Sequence, residues 1–140
     1  MNLPLAISMN FTVWHSYESV YVHRPDGSHV LIGDFYGDPQ AAVIDWNEKW
    51  VVVVGYGLIL YRLREPFSAY GHAKNSEQFW ETSNSPPDIL WIEAVYQASC
   101  SAVRFVVAPP NQGAGLYELD VDDCSIVRLL PEEPEPIIAV

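Results

Sequence analysis

Chemistry in this chain would have to come from its carboxylates, its four histidines and its two cysteines, so their spacing is the first question. Asp120, Asp122 and Asp123 begin like a calcium loop, but Ser125 and Pro131 stand where such a loop needs glycine and glutamate. His23 and His29 flank Pro25-Asp26-Gly27, a turn in which proline presets φ and glycine accepts positive φ. The two imidazoles can therefore face one another across a hairpin. No third ligand accompanies them or the remaining His15 and His72, so they read as surface histidines and no metal is expected.

Cys100 and Cys124 form neither a Cys-x-x-Cys pair nor a disulfide framework, and two reduced core residues are expected. There is no Gly-x-Ser-x-Gly, and no histidine lies near Cys100 in sequence, so nucleophilic hydrolysis has no support. Gly55-Tyr56-Gly57 lacks the third glycine and the helix of a dinucleotide site, and no phosphate-cradling Gly-x-x-x-x-Gly-Lys-Ser/Thr occurs. A carboxylate pair for sugar hydrolysis depends on spatial separation, and 18 acids would supply pairs by chance. The expectation is a non-enzyme with no cofactor.

What the acids do carry is charge. The chain has 18 Asp plus Glu against 7 Lys plus Arg, a formal −11. Residues 1–64 hold 6 acids and 4 bases, whereas residues 65–140 hold 12 acids and 3 bases. Such a field repels nucleic acid and anionic membrane and attracts a basic protein, although acidity also serves solubility alone. Within the acidic half, Trp80 stands between Glu77 and Glu81, an aromatic beside acids of the kind that anchors a basic side chain. The candidate partner-binding residues are therefore Glu77, Trp80, Glu81, Asp120, Asp122 and Asp123.

The elements that must position these residues read as β. Val51 to Val54 are stiff at χ1 and bounded by Gly55, which suits a strand buried on both faces. With Asn47-Glu48-Lys49 and Gly55-Tyr56-Gly57 as reversals, residues 42–46, 50–54 and 58–63 form a meander. Upstream, residues 11–17, 19–23 and 29–32 are further strands, the last two joined by the Pro-Asp-Gly turn. Downstream, residues 89–96, 102–107, 115–119 and 125–130 continue the pattern, with Asp120 to Asp123 as an acidic turn. Leu60-Tyr61-Arg62-Leu63 and Leu116-Tyr117-Glu118-Leu119 repeat Leu-Tyr-x-Leu at a distance of 56 residues, and valine-rich strands precede both. The fold class is all-β: antiparallel meanders in two similar halves, partial-propeller-like or sandwich-like. Between them lies one long loop or a short helix, the helix running over Ser76–Glu81 with Ser76 as cap and Pro86-Pro87 as stop.

Length suits one domain over residues 1–130, followed by an extended Pro/Glu-rich tail, 131–140. The N-terminus lacks a basic start and a long apolar run, and no stretch reaches the 18 or so apolar residues of a membrane helix, so a cytoplasmic home is expected.

The run Gly55-Tyr-Gly-Leu-Ile-Leu-Tyr-Arg-Leu-Arg-Glu-Pro-Phe67, with Tyr70 and Trp80-Glu81, resembles a stretch of small acidic immunity proteins encoded beside bacterial polymorphic or type VI secreted toxins. The resemblance covers at most residues 42–121 and is structural in character, so it assigns no binding residue. It implies a domain that binds and neutralises a cognate toxin, with a nuclease's basic cleft as a natural target. The alternatives are a non-catalytic scaffold that recruits a partner at its sheet edges, and a small all-β enzyme whose site is not evident in sequence.

Overall fold

The computed structural model describes residues 3–71, 77–82, 90–109 and 113–131. Across them the chain makes twelve strands and no helix, arranged as three four-stranded antiparallel sheets in chain order. The first sheet holds β1 (Ala6–Ile7), β2 (Thr12–Ser16), β3 (Ser19–His23) and β4 (His29–Asp34). The second holds β5 (Ala41–Ile44), β6 (Trp50–Gly55), β7 (Gly57–Arg62) and β8 (Phe79–Glu81). The third holds β9 (Ile92–Gln97), β10 (Ala102–Val107), β11 (Gly115–Asp120) and β12 (Ile126–Leu130). Each sheet is an up-and-down meander, and β5 lies against both β1 and β9, so the leading strands gather as in successive propeller blades.

The valine run is apolar throughout because the second sheet is sandwiched. Val51 and Val53 join Val13, Val20, Val22 and Ile32 in one core. Val52 and Val54 point the other way, into a second core with Val103, Phe105, Val107 and Leu119. Alternation along a strand sends successive side chains to opposite faces, and here both faces are dry. The Leu-Tyr-x-Leu copies fall on β7 and β11, the third strands of their sheets, and each tyrosine faces the preceding sheet: Tyr61 the first, Tyr117 the second. The N-terminal strands complete a third meander beside these two.

Residues 77–81 are not helical. Phe79–Glu81 is the fourth strand of the second sheet, paired with Tyr61, Leu60 and Ile59 of β7. The physical reason is a period of two: Phe79 is buried in the first core, while Trp80 packs against the second. Gln78 fastens the entry to this strand, its amide donating to the Arg62 carbonyl at 2.6 Å and to the Arg64 carbonyl at 3.1 Å. The proposed N-cap Ser76, the Pro86-Pro87 stop and the tail beyond Pro131 lie outside the described residues.

The hairpins before and within the second sheet form as the turn residues dictate. Gly27 takes φ +87° in the Pro-Asp-Gly turn, and His23 pairs with His29 across it, their rings stacked 5.4 Å apart. Asp45, buried, organises the 45–49 reversal by accepting from the Lys49 backbone N–H at 3.1 Å and the Gln97 amide at 2.8 Å. Glycine is required at 115, where an added Cβ would lie 2.1 Å from the Leu130 carbonyl oxygen, so β11 and β12 could not close. The cysteines are both free, but they are not core residues: Cys100 is exposed on the 98–101 turn and Cys124 is half-buried.

Strand directions gather the connections at two ends. At one end the Glu48 carboxylate accepts from Ser8 and Asn10, Arg24 pairs with Glu65, and the Arg62 guanidinium donates to the Val121 carbonyl at 3.0 Å. This end, called the charged end below, joins turns from all three sheets. At the opposite end Tyr36, Tyr56 and Trp91 make an aromatic row, with centroid separations of 6.1 and 4.8 Å.

Candidate partner-binding surface

Four of the six residues nominated from sequence lie at the charged end. The 120–125 turn is built by its own acids: the Asp120 carboxylate accepts from the backbone N–H groups of Asp122, at 2.8 Å, and Asp123, at 3.3 Å. This is the side-chain-to-backbone bonding that aspartate brings to turns. Asp123 in turn accepts from the Ser125 side chain and, at 2.9 Å, its backbone N–H, which together hold the Asp123 carboxyl below the usual carboxylate range. The turn is fastened to the neighbouring one by the Val121 N–H donating to the Ser101 carbonyl at 2.9 Å. Asp122 is left with its carboxylate outward, while Asp120 is committed to holding the loop.

Glu77 precedes β8. Arg64 donates to its backbone carbonyl at 2.7 Å, and its carboxylate, 98% exposed, is 3.9 Å from the same guanidinium. An ion pair so long and so wet contributes little, and the carboxylate stays available. Asp26 and Glu48 add fixed charge nearby. Ser28 lowers the Asp26 carboxyl through its hydroxyl and N–H, and Ser8, with help from Asn10, lowers Glu48.

Trp80 and Glu81 are drawn away from this surface. The Trp80 side chain is packed on the second core. Glu81 points to the other face of β8, where it accepts from the Tyr70 hydroxyl at 2.5 Å. Burial, with that carboxylate beside it, pushes the Tyr70 hydroxyl well above the ordinary tyrosine range. Strand alternation thus gives both residues structural duties that a loop would not have imposed.

Sequence reasoning missed the cations. A cleft of about 500 Å3 opens at the charged end between the second and third sheets, walled by Lys49, Arg62 and Arg64. Its apolar floor is made of Trp50, Leu60 and Val121, and Asp122 lies at its margin. Leu60, Arg62 and Arg64 recur at every second residue, and the Leu63 N–H donates to the Lys49 carbonyl at 2.9 Å, bringing Lys49 beside them. The signal was present in the spacing, and assigning the register of the β6–β7 hairpin would have exposed it. Cys100 and Ser101 line the third-sheet wall.

Among the described residues no three His, Cys, Asp or Glu side chains converge as metal ligands, and no helix is long and apolar enough to cross a membrane. Set beside known proteins, the chain matches no family model, no curated protein and no solved structure.

Proposed function

We propose that this chain is an immunity protein that binds a basic bacterial toxin and neutralises it by covering its cationic surface. The supporting observation is the construction of the charged end, where the Asp120–Asp123 turn presents Asp122 outward and Glu77, held through its backbone carbonyl by Arg64, keeps its carboxylate almost fully exposed. Asp122 on its fixed turn and the exposed Glu77 offer carboxylates that a basic partner can meet, and exposed charge speeds encounter with its opposite. In a nuclease target, such carboxylates would occupy places otherwise taken by phosphates. The test is co-expression with the product of the neighbouring gene, which this reading requires to be a toxin. The chain should restore growth and co-purify with that toxin, and Glu77→Lys with Asp122→Lys should abolish both. Protection that survives the double reversal sinks the assignment to this surface.

A second reading has its own support. β12 is an edge strand of the third sheet, and Ile126, Val127 and Leu130 on it are exposed, so a partner strand could add there. Partner binding that ignores salt but is lost on placing a lysine at Val127 would favour this scaffold role.

A further inference from the structure

We infer that the cleft between the second and third sheets is a binding site for a small organic anion, a carboxylate or phosphate carried on an apolar body. Three of the chain's seven Lys and Arg residues, Lys49, Arg62 and Arg64, line this one cavity in a molecule of net charge −11. Random placement on so acidic a surface would disperse them among carboxylates. Instead, no carboxylate lies within ion-pair distance of Lys49 among the described residues, and the one carboxylate near Arg64 is that of the exposed Glu77 at 3.9 Å, although its guanidinium also donates to the Glu77 backbone carbonyl at 2.7 Å. Glu48, the other acid on the cleft wall, is already engaged by Ser8 and Asn10.

The geometry specifies the rest of the ligand. Arg62 is fixed, because its guanidinium donates to the Val121 carbonyl at 3.0 Å, so its remaining N–H groups keep a set direction. Arginine with a preset fork loses less freedom when it takes a carboxylate or phosphate. Beneath it Trp50, Leu60 and Val121 are almost wholly buried and close the cleft, so the apolar surface left to a ligand is the edge of Trp50 and the aliphatic stems of Lys49, Arg62 and Arg64. A cavity of about 500 Å3 falls within the range of small-molecule sites, in which an apolar lining carries a few convergent polar groups. An anionic head among the cations and a small apolar body against the cations' aliphatic stems and the edge of Trp50 satisfies both halves. Asp122 at the margin opposes the anion and so tunes its affinity.

The inference concerns the isolated chain and stands whether or not the toxin-binding reading holds. It is tested by amide NMR titration of the full chain with phenyl phosphate, with benzoate and with neutral benzyl alcohol. Phenyl phosphate or benzoate should give saturable shifts at Lys49, Arg62, Ser101 and Val121, and the tighter of the two identifies the head group. Lys49→Gln with Arg64→Gln, both exposed positions, should weaken binding about tenfold, the sum of two solvent-facing charge contacts. Asp122→Asn should tighten it, the opposite of its effect on a basic partner. Non-saturating shifts with both anions, equal binding of benzyl alcohol, unchanged affinity in the double glutamine variant or no tightening in Asp122→Asn would each overturn the proposal.

Discussion

Replacing Tyr61 by phenylalanine should make the chain less stable at neutral pH and less sensitive to alkali. Tyr61 is fully buried on β7, and its hydroxyl donates to the Ser68 carbonyl at 2.6 Å. Burial raises its ionisation from the ordinary 10.0 to about 12. Removing the hydroxyl leaves the Ser68 carbonyl without this donor, a loss of about 1–2 kcal/mol at pH 8. The alkaline term has a definite sign. An unfolded tyrosine releases its proton near pH 10, while the native one keeps it to about pH 12, so the contribution is whole below pH 10 and disappears as pH rises through that window. By pH 11 the loss amounts to about 1.4 kcal/mol, one unit's worth of the shift. Urea unfolding midpoints at pH 8 and pH 11 measure both quantities. The gap between wild type and Tyr61→Phe should narrow by that amount at the higher pH. A gap that stays constant from pH 8 to pH 11 would show that the Tyr61 hydroxyl does not titrate abnormally and would refute the reasoning.

Three further substitutions probe the architecture. Val52→Ala and Val53→Ala are neighbours in sequence but open voids in different cores, so each should cost about 2–3 kcal/mol, and chemical-shift changes should spread into the third sheet for the first and into the first sheet for the second; overlapping patterns would contradict the two-core description. Gln78→Ala removes an amide that bonds the Arg62 and Arg64 carbonyls and accepts from Ser68, so it should cost about 2–3 kcal/mol in chemical denaturation; a neutral effect would mean that β8 is held by its ladder alone.

The fold was largely legible because β-branched residues, turn chemistry and period-two alternation agree along most of the chain. Val51 to Val54, the Pro25-Asp26-Gly27 turn and the Leu-Tyr-x-Leu copies all lie where their residue types put them. Phe79–Glu81 reads as loop or short helix because three residues beside polar neighbours carry no visible period, and only pairing with β7 makes them a strand. The site was legible in part. Asp120 to Asp123 announce a turn by composition, but the cost of that turn is the Asp120 carboxylate, which sequence cannot know. Trp80 and Glu81 read as a binding pair on a loop or short helix, and strand geometry separates them. The cationic cleft is legible only once a register is assigned, because Lys49 and Arg64 are 15 residues apart and meet through the β6–β7 hairpin.

The central proposal is that the charged end meets a basic partner, and association kinetics with whichever protein co-purifies in the co-expression test probe it most directly. Asp120 is unsuitable for reversal because its loss would unmake the turn, so Glu77→Lys with Asp122→Lys is the informative variant. The wild-type association rate should fall steeply as ionic strength rises from low to physiological, as expected for exposed charges screened over about 8–10 Å. In the variant it should be slow at every ionic strength. Equal rates and equal salt slopes for the two proteins would contradict the account.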